Sequence, residues 1–168
     1  MTGDEKFQDR FRKNAPASGI SAYLQPKEPD GEDAEVSGGG FAVLRGINDR
    51  AATLELRLKD GNSRWFAYSL LGTFQYDRSE GLLLRFSGDL IYLVLIKGSN
   101  LDKPSQGGVN LMTGLQRHRV VWIKEMSKEE IKKAGDSGPT IDSIQVSAFE
   151  SNDELKKWVD ENAPAFLR

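Results

Sequence analysis

The chain has 168 residues, a net charge of −2 and a mean hydropathy of −0.50, which fits one domain with room for an appendage. It contains no cysteine, and this excludes disulfides, a thiolate nucleophile and any Cys-based zinc site. Its longest apolar run, Leu90–Ile96, is far below the roughly 20 residues that a membrane helix requires; with no apolar stretch in MTGDEKFQDRFRKN, a cytoplasmic protein that does not engage membranes is expected.

Charge is distributed unevenly along the chain. Residues 1–40 carry net −3, residues 41–125 net +4 and residues 126–168 net −3. The first block holds Phe7 and Phe11, then Ile20, Tyr23 and Leu24. A stretch rich in Pro and acid follows, from Gln25 to Asp33, and Gly38-Gly39-Gly40 closes the block. So little apolar surface cannot offset the ordering entropy. Residues 1–40 are therefore expected to be an acidic, largely disordered tail.

The pattern changes at Phe41-Ala42-Val43-Leu44. In Thr53–Leu58, Leu54, Leu56 and Leu58 alternate with Glu55 and Arg57, the period of a half-buried strand. Asp60-Gly61 then signals a hairpin, whose second strand is Ser63–Tyr68. Another strand is expected over Leu70–Tyr76, followed by a turn at Asp77–Gly81. Leu82–Phe86 and Leu90–Lys97 are nearly unbroken apolar runs, as in strands covered on both faces. The short connections favour an antiparallel meander. The fold class predicted is α+β: a five-stranded antiparallel small barrel or bent sheet over residues 41–101.

From Val109, the spacing of Leu111, Leu115 and Trp122 predicts a helix over 109–125 packed on that sheet, although Val120-Val121 also suits a strand. The core domain is thus read as 41–125. Residues 126–168 read as a helix–strand–helix extension packed on the core. Ser127 and Ser151 each stand three residues before a Glu, the capping-box spacing. The strand between those helices, about 141–149, is placed at the sheet edge.

No catalytic constellation is legible. His118, the only histidine, sits between Arg117 and Arg119, and no sequence signature marks the nucleophile or orienting acid that a histidine triad needs. Asp77, Glu80 and Asp89 fall in turns, where Asp serves local backbone hydrogen bonding; a small hydrolase would have to gather Asp77, Asp89 and His118 in one pocket. Neither Gly38–Gly40 nor Gln106-Gly107-Gly108 has the spacing of a phosphate-binding loop. No catalytic residue, metal site or cofactor is predicted. On the strand Ser63–Tyr68, Trp65 and Phe66 point to opposite faces, so Arg64, Trp65 and Tyr68 are candidates for contacting a partner.

Three segments carry a partial resemblance to a known family: Leu58-Lys59-Asp60-Gly61, Asp77–Leu84, and Ile96-Lys97-Gly98-Ser99-Asn100-Leu101. Residues 56–101 resemble the Sm-like RNA-binding family. The resemblance implies an SH3- or Sm-like barrel with a base-binding pore, Asp77 matching the family's pore Asp, and Lys97, Gly98 and Asn100 its closing Arg-Gly-x-Asn segment, so that Asp77, Lys97 and Asn100 are candidates for ligand contact. Gly81 stands where that family carries its base-contacting Asn, and Lys97 where it carries Arg. The function expected is a non-enzymatic interaction module, binding a protein partner or self-associating as a homo-oligomer; the alternative is RNA or DNA binding through the basic 41–125 region.

Overall fold

The computed structural model describes residues 35–168 apart from residue 47. The acidic stretch and the apolar residues before Glu35 lie outside the described residues. The strands are β1 (Glu35–Ser37), β2 (Phe41–Leu44), β3 (Thr53–Arg57), β4 (Ser63–Ala67), β5 (Leu71–Asp77), β6 (Gly81–Ser87), β7 (Ile91–Lys97), β8 (Val120–Lys124) and β9 (Ser143–Phe149). The helices are α1 (Leu111–Gln116), α2 (Lys128–Ala134) and α3 (Asn152–Asn162), with short 3-10 turns at Tyr68–Leu70 and Pro164–Leu167.

Among the described residues the strands form two sheets, not one sheet or a closed barrel. The first has the order β1-β2-β8-β3-β4 and the second β5-β6-β7-β9. All described pairings are antiparallel except β3 with β8, which is parallel. The division falls at the turn Tyr68–Leu70, which carries the chain from β4 into β5 without pairing the two.

The apolar faces of the two sheets share one core. Phe41, Val43, Leu54, Leu56 and Phe66 come from the first sheet, and Leu82, Leu84, Phe86, Val94 and Ile96 from the second. The predicted alternation holds in β3: Leu54 and Leu56 are fully buried, and Leu58 packs against the same core. A second apolar cluster joins Leu83, Leu93 and Leu95 to Phe149, Leu155 and Val159, so α3 covers the other face of β6 and β7. The unbroken apolar runs of these two strands follow from burial on both sides.

Two expectations are corrected. Residues 109–125 are not one helix: α1 has six residues, and Val120–Lys124 is a strand at the centre of the first sheet. The β-branched pair Val120-Val121 decides in favour of the strand. Gly114 lets α1 lie close to it, since a Cβ there would stand 2.8 Å from a Val120 methyl. Residues 35–37, placed by the sequence in the tail, pair with β2.

The C-terminal elements follow the reading. Ser127 accepts from the Glu130 amide and Glu130 accepts from the Ser127 amide, which starts α2. Gly135, at φ 67°, ends it. Ser151 accepts from the Glu154 amide at the start of α3, and β9 lies at the edge of the second sheet beside β7.

Candidate functional site

The six candidate residues fall into two groups. Arg64 and Trp65 lie on β4 with Tyr68 just after it; Asp77, Lys97 and Asn100 lie at the far end of the β6–β7 hairpin. Asp77 pairs with Gly81, and Gly81 adjoins Lys97. The turn near β4 follows Ser87, so the groups are separated by the length of β6, roughly 20 Å at ~3.3 Å per residue.

In the second group, Asp77 and Asn100 are engaged in holding turns. Asp77 Oδ1 accepts from the amides of Ser79 and Glu80 and from the Ser79 hydroxyl. These bonds hold its carboxyl below the usual range, that from the Ser79 side chain foremost. Asn100, at φ 55°, donates its side-chain amide to the carbonyls of Asp136 and Gly138 at 2.9 and 3.2 Å. It ties the loop after β7 to the loop before β9. Lys97 is exposed. Gly81 has φ 110°, and a Cβ there would run into the carbonyl oxygen of Ile96, so no side chain has room at that position.

Tyr68 belongs to the core. Its hydroxyl donates to the Val120 carbonyl at 2.7 Å, and its ring stacks on His118 at 4.7 Å between centroids. Burial pushes its phenol far above the ordinary range. Tyr68→Phe is expected to cost about 1–2 kcal/mol, the price of one buried hydrogen bond, in urea unfolding, while leaving partner binding unchanged. His118, Asp77 and Asp89 do not converge: His118 lies against Tyr68, and the two aspartates mark opposite ends of the β6–β7 hairpin. Among the described residues no cluster of three or more His, Asp or Glu side chains has the geometry to hold a metal.

The first group marks an open edge. The bonds Leu58 N–H to Asn62 O and Tyr68 N–H to Ala52 O frame the β3–β4 ladder. With the register Leu54 to Phe66 and Leu56 to Arg64, antiparallel alternation gives residues 64 and 66 to β3. The N–H groups of Ser63, Trp65 and Ala67 and the C=O groups of Ser63 and Trp65 therefore point outward with no backbone partner among the described residues, while the Ala67 C=O opens the 3-10 turn Tyr68–Leu70. Trp65 is 63% exposed, the most exposed large apolar side chain described.

Beside this edge lies a groove of about 630 Å³ lined chiefly by Arg64, Phe66, Leu70, Asp89, Leu90 and Tyr92. Phe66 stacks on Phe86 at 4.6 Å and meets Tyr92 edge-on at 5.4 Å, which fixes the aromatic wall. Leu70 is 42% exposed. Sequence reasoning missed Leu70, Leu90 and Tyr92: Leu70 lies in the turn between the two sheets, Leu90 just before β7, and Tyr92 meets Phe66 of the other sheet.

On the outer face of the first sheet, Glu55 stands between Trp122 on β8 and Trp65 on β4. Arg57 lies over the Trp122 ring at 4.5 Å and binds Glu55 at 2.8 Å, and Ser63 donates to Glu55. The Arg57 hydrogen bond is the main cause holding Glu55 below the usual carboxylate range; burial opposes it and the Ser63 bond reinforces it. A depressed folded pKa gives stability that is present above the unfolded pKa and lost as pH falls through the folded one. Glu55→Gln is therefore expected to flatten the acid limb of a stability–pH curve by less than about 1 kcal/mol, as befits a partly exposed pair.

The remaining sheet edges are shielded to differing degrees. β1 has three residues, and β5 carries an irregularity between Leu71 and Phe74. On β9 the Ile144 N–H is taken by Glu125 Oε1 at 2.8 Å. β4 has no Pro, Lys or bulge, the usual devices that blunt an edge; Arg64 is its only charge. Comparison of the chain with protein-family models, with curated proteins and with solved structures finds no match.

Proposed function

We propose that the chain is a non-enzymatic interaction module that binds an extended protein segment by strand addition along β4. The observation carrying this reading is the outward row of backbone groups at Ser63, Trp65 and Ala67 with Trp65 standing 63% exposed at its centre. Main-chain hydrogen bonds supply affinity in such complexes, and side-chain pockets supply specificity; the groove of Phe66, Leu70 and Tyr92 is such a pocket. The test compares capture from native lysate by immobilised wild type, Trp65→Lys and, as a control at the far end of β6–β7, Lys97→Ala. Loss of the captured proteins with Trp65→Lys alone is expected. Equal capture by all three would remove the reading.

Nucleic-acid binding through 41–125 has one observation in its favour, the exposed Trp65 in a row with the half-buried Trp122, since exposed aromatics stack on bases. Glu55 stands between the two rings, however, and the Trp122 indole N–H is held by Glu35 at 3.0 Å. These carboxylates oppose a phosphate backbone. Retention of RNA that falls steeply with salt and is lost in Trp65→Ala would establish this second reading.

A further inference from the structure

We infer that the segment added along β4 is β4 of a second copy of this chain, in a twofold antiparallel pairing centred on Trp65. The inference rests on the strand-addition reading and names its occupant. The outward residues Ser63, Trp65 and Ala67 are spaced evenly about Trp65. A twofold axis at Trp65 therefore sets Ser63 against Ala67 of the second copy and Trp65 against its own equivalent. Each outward N–H then meets a C=O of the other copy, that of Ala67 being shared with its own 3-10 turn. A register displaced by one residue sets outward groups against groups already bonded to β3.

The side chains fit the same axis. Arg64 and Phe66 share the inner face of β4, because their β3 partners Leu56 and Leu54 are both buried in the core. In the twofold register Arg64 of each copy lies beside Phe66 of the other. Its guanidinium enters the aromatic groove, where a cation gains from the ring faces. Asp89 lines that groove and neither Arg64 nor Asp89 forms an ion pair among the described residues. The groove thus offers both an aromatic wall and an acid to an incoming arginine. No like charges oppose each other, since Arg64 is the only charged residue of β4. On the outer face the two Trp65 rings are direct cross-strand neighbours, a favourable aromatic pair.

The full-length chain is tested by sedimentation equilibrium over a range of concentrations. Wild type is expected to sediment as two copies of the 18.7 kDa chain. Trp65→Lys and Trp65→Glu, which place like charges opposite each other at the axis, are each expected to sediment as one. An equal mixture of the two variants is expected to return to two copies, because Lys then faces Glu. Circular dichroism and thermal unfolding of each variant check that the exposed substitution leaves the fold intact. A wild type that is monomeric at every concentration overturns the inference and leaves strand addition to the lysate test. Dimers that persist in the single variants, or a mixture that stays monomeric, overturn the register.

Discussion

Phe86→Ala is expected to lower the unfolding free energy by about 3–5 kcal/mol, the range for removing a buried aromatic side chain. Phe86 lies on β6 facing the core shared by both sheets, fully buried. Its ring stacks on Phe66 of β4 at 4.6 Å, so it is one of the few side chains joining the open edge to the second sheet. Truncation removes the transfer free energy of the ring and leaves a cavity that Phe66 and Tyr92 fill only in part. The measurement is urea unfolding followed by tryptophan fluorescence and by far-UV circular dichroism. Coincident transitions shifted to lower urea are expected. A shift worth less than about 1 kcal/mol, the size of a surface substitution, would mean that the two sheets do not depend on this contact.

Gly81→Ala is expected to cost as much again as backbone strain alone. At φ 110° an L-residue is strained by about 1–3 kcal/mol. The new Cβ also meets the carbonyl oxygen of Ile96, in the strand neighbouring β6. That atom is backbone and cannot swing aside, so the start of β6 must move away from β7. Gly61→Ala supplies the control. Gly61 also has positive φ, 84°, in the β3–β4 hairpin, but nothing lies within 4 Å of its Cβ direction. The difference between the two unfolding free energies measures the clash with strain subtracted. Equal losses would place the Ile96 carbonyl elsewhere.

Much of the fold is written in local patterns. Asp60-Gly61 marks the first hairpin, Leu82–Phe86 and Leu90–Lys97 mark strands with two dry faces, and Ser127 and Ser151 mark helix starts. Each of these signals lies within a few residues of the structure it specifies. Val120–Lys124 is different. Leu111 and Leu115 lie on α1 and Trp122 falls in step with them only by coincidence; the partners that make β8 a strand, β2 and β3, lie more than sixty residues earlier. The division into two sheets was hidden for a similar reason: Tyr68–Leu70 is as short as a hairpin connection, yet passes from one sheet to the other.

At the site, the opposed faces of Trp65 and Phe66 could be read from period two alone. Tyr68 shares its parity with Phe66 and so turns inward. Asn100 is a candidate through the segment Lys97-Gly98-Ser99-Asn100, but its partners, the carbonyls of Asp136 and Gly138, come from a distant loop that no local pattern announces. That β4 is the sheet's outermost strand follows only once β8 is known to lie on the other side of β3.

The insertion of β8 between β2 and β3 has a consequence for how the chain comes together. β2 and β3 never touch as neighbours; each waits for a stretch synthesised much later. The meander β5–β6–β7 closes through short loops and can assemble while still near the ribosome exit, since local contacts form fastest. The first sheet is then a late event, completed when residues 120–124 thread into place between strands that preceded them, and pulse-labelled hydrogen exchange should show amides of β6 and β7 protected before those of β2.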